Sequence, residues 1–325
     1  MVLRYVLRRL AWAVPTLLFI TFLVYIALRT GTDPVASYKR VNARATPAKI
    51  QQYIDANGLD PNYVRGYFRW LGNFLTFDWP RSIKGSREVW PALKDALANT
   101  IRLGIAASAV GIVVGLMLGV FAALRPGGRR DVAVNTAAFV GISVPPYVSA
   151  ILFQLLFAVY WSRWFGSTLF PTAGVYPPGH TGFDLALMAK HMVLPTFVVA
   201  IQIIAVYSRY MRSSLLDVLS SEYMRTARSK GISERRVLFK HGLRNALIPV
   251  VTIAALDVGA IVGGLIITEN IFSYPGMGMY FLTAFGDGDF PLLMPWMVII
   301  VFSTLMFNLL ADISYAWLDP RIRLE

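Results

Sequence analysis

Asp257 sits inside an otherwise apolar stretch, Asn245–Thr268, and has the strongest claim to chemistry of any side chain here. An acid within a membrane-crossing segment is costly, and such residues usually face a cavity or a polar partner. Facing a cavity, Asp257 could meet a cationic group such as an amine. Turned to a neighbouring helix, it would hydrogen-bond there or stay protonated. Gln154, Gln202 and Asn308 lie in other apolar stretches and pose the same choice, as do Asn135 and Asp312. His180, His191 and His241 show no ligand spacing and the chain has no Cys, so no metal or thiol site is expected. There is no GxxxxGK[ST] phosphate loop, so the chain is not expected to hydrolyse ATP by itself. No HExxH, GxSxG or paired-carboxylate arrangement stands out, which leaves a membrane-embedded enzyme without its catalytic set.

The elements that carry these residues are apolar runs. Of the 325 residues, 56% are hydrophobic and 15% charged, against about 25% charged in soluble domains. Six runs are long enough to cross a bilayer as helices: Leu10–Leu28, Leu103–Leu124, Val132–Trp161, Met192–Ser208, Asn245–Thr268 and Phe290–Ala311. The first is too long for a signal-peptide core and reads as an uncleaved span. Met192–Ser208 is the shortest, with Arg209 and Arg212 placed to snorkel. Pro145-Pro146 is expected to break the third run. The broken helix either lines a path or is a simple kink. Gly259, Gly263 and Gly264 allow close helix packing in the fifth.

A net charge of +13 admits nucleic acid as a partner, but the basic residues crowd into tails and loops beside the spans, as membrane topology requires. Arg4, Arg8 and Arg9 precede the first span. Arg125, Arg129 and Arg130 follow the second, a dense set from Arg209 to Arg244 follows the fourth, and Arg321 and Arg323 close the chain. Glu269, Asp287 and Asp289 lie in the last loop on the other side, which has no Lys or Arg. The expectation is a multi-pass protein of the inner or plasma membrane with both termini in the cytoplasm.

Residues 1–30 then form the N-terminus and first span, 31–96 an outer helical segment, and 97–325 a five-helix core. The outer segment is basic, but long loops cross largely regardless of charge. In it, Thr46 is the expected N-cap of a helix with Pro47 at its first position and Gly58 as terminator. A second helix is expected from Asn62 to about Phe74, with Val64, Tyr67, Phe68 and Leu71 on its apolar face. This cap either shields loops or contacts a delivery protein. Tyr274-Pro275-Gly276 reads as an outer turn.

Between the fourth and fifth spans the chain reads SSEYMRTARSKGISERRVLFKHGLRNALIPVV from Ser220 to Val251. Leu215, Leu219, Tyr223 and Ala227 recur every fourth residue, the stripe of one amphipathic helix. Arg225, Arg228 and Lys230 suit its C-terminal end, and Gly231 a left-handed cap. Ser233 is placed to cap a second helix beginning at Glu234. A loop bound to anionic lipid through its Lys and Arg needs no such glycine and serine at these offsets. A docking element for a soluble partner does.

This stretch resembles the EAA loop of ABC-importer permeases. Aligned on Gly231, Arg225-Thr226-Ala227 stands where Glu-Ala-Ala would, and His241-Gly242-Leu243-Arg244 replaces Ile-x-Leu-Pro. The longer pattern YxRTAxxKGxSxRRVxxxHxLRNxLIPV is similar to the dipeptide and oligopeptide branch. The opening LRYVLRRLAWAVPTLLFITFLVY, ISVPPYV, GGLIITENIFSYPGMG and the ending LLADISYAWLDPRIR also look like signatures of its B-type subunits. One departure is Phe77-Asp78-Trp79-Pro80, where the family usually has Gly-Asp-Leu/Phe-Gly.

The resemblance implies an all-α membrane protein of six transmembrane helices, of the type I ABC importer permease kind. It implies a non-catalytic subunit that pairs with a homologous second permease. Two ATPase subunits holding ATP and Mg would dock below, and a peptide-binding protein above. Loop 211–245 would couple to the ATPase through Glu222, Tyr223, Arg225, Thr226, Ala227, Lys230, Gly231, Ser233, Glu234 and Arg235. Gln154, Gln202, Asp257 and Asn308 would line half of a path for peptides. Nickel, haem precursors and glutathione are alternative cargoes of the same class, since such importers share the loop. A proton-coupled secondary transporter built on Asp257 is the more distant alternative, and it predicts an inverted repeat that the hydropathy does not show.

Overall fold

The computed structural model describes residues 2–85, 87–261 and 265–318, and over these the chain is helices and turns without a strand. Helix α1 (Val2–Thr32) leads into three short helices, α2 (Pro34–Val41), α3 (Pro47–Ala56) and α4 (Tyr63–Leu75). Next come α5 (Val89–Ala123), α6 (Arg129–Ser143) and α7 (Pro146–Gln154). A π-helical turn over Leu155–Tyr160 joins α7 to α8 (Trp161–Phe165). Beyond them lie α9 (Leu185–Leu219), α10 (Glu222–Ser229) and α11 (Glu234–Arg236), and a π-helical turn, Val237–Leu243, opens α12 (Arg244–Ile261). Helices α13 (Ile266–Ile271), α14 (Met277–Asp287) and α15 (Phe290–Leu318) complete the order.

Five stretches among the described residues are long and apolar enough to cross a membrane: Val6–Thr32, Val89–Ala123, Pro146–Phe165, Leu185–Leu219 and Phe290–Leu310. The fifth run read from the sequence is α12 and α13, with residues 262–264 outside the described ones. The packing of Gly259, Gly263 and Gly264, the side chain of Asp312 and residues 319–325 lie there too. One expectation is corrected. The run Met192–Ser208 belongs to a 35-residue helix, about 52 Å long at 1.5 Å per residue, so α9 overshoots a bilayer core at both ends. The run Val132–Trp161 breaks as Pro145-Pro146 predicts, into helices that part at Val144-Pro145.

The centre of the fold is α5 against α9. Gly111, Gly115 and Gly119 recur every fourth residue along α5 and let the two backbones approach. A Cβ on Gly119 would lie 2.6 Å from the Ser208 carbonyl oxygen and 2.7 Å from Met211 Cβ. Small residues at such a stripe replace the hydrophobic drive that lipid cannot supply. At the Arg129 end of α6, Arg212 of α9 grips Asp131 with Nε–Oδ1 at 2.5 Å and Nη2–Oδ2 at 2.7 Å. That grip, with an added bond from the Gly127 N–H, holds the Asp131 carboxyl down at about 2.

The segment 31–96 folds onto α1 and α15. Thr46 caps α3 as expected, with Oγ1 accepting from Lys49 N, and Gly58 ends it at φ +62°. Asn62 caps α4. The buried face of α4 differs from the one expected. Tyr67 and Trp70 are buried, whereas Val64 and Phe68 are exposed. Tyr67 sets the face by reaching into the bundle: its hydroxyl meets Thr21 Oγ1 at 2.8 Å, and the Tyr25 hydroxyl of α1 donates to the Gly58 carbonyl. Asp289, fully buried at the start of α15, accepts from Ser82 Oγ at 2.5 Å and Ile83 N at 3.2 Å. Burial pushes its carboxyl above the usual range. Phe77, where the family motif has Gly, adopts φ +59°, a conformation that L-residues rarely take. Its ring stacks on Trp79, centroids 5.6 Å apart.

Candidate functional site

The α9–α12 connection is a small structure built on its own core. Helix α9 stops at Leu219, where Ser220 N bonds the Leu216 carbonyl, and α10 starts afresh at Glu222. The expected single helix through Leu215 and Ala227 is therefore two. Two serines at the junction favour the break, since Ser221 Oγ bonds back to the Val218 carbonyl at 2.5 Å. The break also reassigns the buried residue. Met224 is fully buried with Val237 and Ala227, packed on Val218, Leu219 and Ile232, while Tyr223 is exposed.

Gly231 closes α10 at φ +72°, as a left-handed cap requires. Its N–H bonds the Arg228 carbonyl at 2.9 Å. Ser233 occupies the N-cap of α11, but its side chain makes no capping bond. The corner is tied across instead by Arg228 Nε to Glu234 Oε1 at 2.9 Å. Glu222 pairs with Arg225 at 3.0 Å, and Asn245 Nδ2 donates to the Tyr223 hydroxyl at 3.0 Å. Of the ten coupling residues read from the sequence, Ala227 is buried. Glu222, Tyr223, Arg225, Thr226, Lys230, Gly231, Ser233, Glu234 and Arg235 are exposed. Among the described residues no ion pair holds Lys230, Arg235 or Arg236. The result is a knob with a small core of its own and an exposed basic surface.

The four polar residues read as path candidates are not brought together. Gln202 of α9 donates to the Gly141 carbonyl at 2.8 Å and the Val144 carbonyl at 3.2 Å. Pro145 has no N–H for Gly141 four residues earlier, and Val148 N bonds Pro145 O instead of Val144 O. Gln202 thus satisfies two of the carbonyls beside the proline break. Gln154 donates to the carbonyls of Thr172 and Ile271, tying α7 to α13. Asn308 is exposed on α15. Asp257 accepts the Tyr207 hydroxyl of α9 at 2.7 Å and remains exposed. It meets a neighbouring helix and an open face at once. Asn135 bonds Asp131. Among the described residues no cluster of His, Cys, Asp or Glu can hold a metal ion.

Sequence reasoning counted Glu269 only as an outer-loop charge. It is fully buried, and its carboxylate builds the turn that follows. Oε1 accepts from Thr100 Oγ1 at 2.6 Å and Leu265 N at 3.2 Å; Oε2 accepts from Gly278 N at 2.7 Å and Met279 N at 3.2 Å. A Cβ on Gly276 would come within 2.5 Å of either oxygen, so this glycine makes room for the acid, while Gly278 lets the chain pass close to the Ile266 backbone. That coincidence of one acid and two glycines was the available signal.

Residues 115–324 match the family described as "Binding-protein-dependent transport system inner membrane component". The oligopeptide transport system permease protein AppB of Bacillus subtilis (strain 168) is 37% identical over 322 residues, 98% of each chain. The dipeptide transport system permease protein DppB of Escherichia coli (strain K12) is 31% identical over 341 residues, 99% of each chain. Among solved structures, the MetNI methionine ABC transporter has a chain of similar fold at TM-score 0.53 and 17% identity. The match covers 70% of this chain and 96% of that one.

Proposed function

Since the chain belongs to the family of binding-protein-dependent transport system inner membrane components, we propose that it is the peptide permease subunit of an ATP-driven importer. It forms half of the translocation path, and ATP and Mg are bound and hydrolysed in separate subunits. A homologous second permease completes the path, two ATPase subunits bind below and a peptide-binding protein delivers cargo above. The observation that carries the coupling role is the corner at Gly231. It is closed by a left-handed glycine, braced by Arg228–Glu234 and joined through unbroken helical turns to α12. A push on the knob is passed to α9 and α12, the helices that carry Tyr207 and Asp257.

The reading is tested by reconstituting the whole importer in liposomes. Peptide-loaded binding protein should stimulate ATP hydrolysis and fill the lumen with peptide. Stimulation by nickel or another cargo but by no peptide would overturn the cargo assignment.

The basic short loops support a cytoplasmic corner and cytoplasmic termini. The chain lacks Cys, so Ser233→Cys gives a single labelling site. An impermeant maleimide should label it in inside-out vesicles and not in intact cells; labelling from outside would reverse the orientation.

A further inference from the structure

One cavity, of about 540 Å³, opens between the first turns of α5, the N-terminal half of α14 and the strand-free loop at Tyr176. Ala92, Asp95, Asn99 and Arg102 form one face of α5 along it, and Gly276, Tyr280 and Thr283 stand opposite. Alanine at positions 92 and 96 leaves the space. The wall at Pro275-Gly276 is fixed, because Asn99 Nδ2 donates to the Pro275 carbonyl at 3.0 Å and Glu269 holds the turn from behind.

The charges in this cavity are not satisfied within it. Among the described residues neither Asp95 nor Arg102 has an ion-pair partner. Arg102 donates only to the neutral Asn99 Oδ1, at 3.1 Å, which leaves most of its five N–H donors free. Arg87 lies over the Tyr280 ring. Asp95 and Arg102 are seven residues apart on one helix face, about 10 Å at 1.5 Å per residue, too far to pair with each other. An extended chain of three residues spans about 10 Å, with an ammonium at one end and a carboxylate at the other.

We propose that this cavity is an entry subsite for the termini of a short zwitterionic peptide, with Asp95 receiving the ammonium and Arg102 the carboxylate. The proposal rests on the peptide reading given above and adds where on this chain the peptide's ends are recognised.

The test uses the complete reconstituted importer and one tripeptide in three forms: free, N-acetylated and C-amidated. Asp95→Asn should lower uptake of the free tripeptide about tenfold relative to the N-acetylated form, the order of one charge-assisted hydrogen bond. Arg102→Gln should do the same for the free form relative to the amide. Any preference of the binding protein cancels in each ratio, because that protein is unchanged. Asp95→Cys on this Cys-free chain provides a second reading. Modification with a sulfonate-bearing thiosulfonate should restore preference for the free amine, and an ammonium-bearing reagent should not. Unchanged ratios in all variants would overturn the subsite. So would an equal loss for all three peptides with weaker binding of the delivery protein, which would make the cavity a protein-docking surface. If the unaltered importer carries none of the three, the peptide reading fails and the subsite falls with it.

Discussion

Gly231→Val should leave the subunit inserted and assembled but reduce cargo-stimulated ATP hydrolysis to the unstimulated level. At φ +72° an L-residue is disfavoured by about 1–2 kcal/mol, and a β-branched one more so. Space is not the obstacle, because a Cβ there would meet nothing within 4 Å. The whole penalty is therefore conformational, and the chain relieves it by turning α11 out of its present angle to α10. The Arg228–Glu234 bridge and the burial of Val237 against Met224 depend on that angle. Asn tolerates the left-handed region better than other side chains, so Gly231→Asn should retain most of the stimulation. Comparing ATP hydrolysis of the three purified complexes, with and without loaded binding protein, separates the cases. Full stimulation in the valine variant would remove this corner from coupling.

Glu269→Ala should have the largest effect on folding. Removing the carboxylate strands three backbone N–H groups and the Thr100 hydroxyl, all bonded to it now. Each buried donor left without an acceptor costs about 1–3 kcal/mol, against a total stability of about 5–15 kcal/mol for a typical domain. The expected outcome is failure to accumulate as a monodisperse detergent-extracted protein. Glu269→Gln keeps the size but sets an NH₂ group against N–H donors. It should accumulate with a lowered melting temperature. Fluorescence-detected gel filtration after a temperature ramp reads both. A melting temperature for Glu269→Ala equal to that of the unaltered chain would show that the turn is held by other contacts.

Local chemistry made part of this protein legible from residues alone. The apolar runs, the proline break at Pro145, the Thr46 cap and the left-handed Gly231 follow from side-chain and backbone properties that act within a few positions. Tertiary structure decided the rest, because it depends on partners distant in the chain. Tyr223 and Met224 are neighbours, and only the break at Ser220 determines which one is buried. Gln202 became a brace for α6 because α9 passes beside Gly141, 61 residues earlier. Glu269 changed from a loop charge to the centre of a turn because Thr100, 169 residues earlier, and the N-terminus of α14 converge on it. A polar side chain states what it must bond to, but the fold alone determines which donor or acceptor comes within 3 Å.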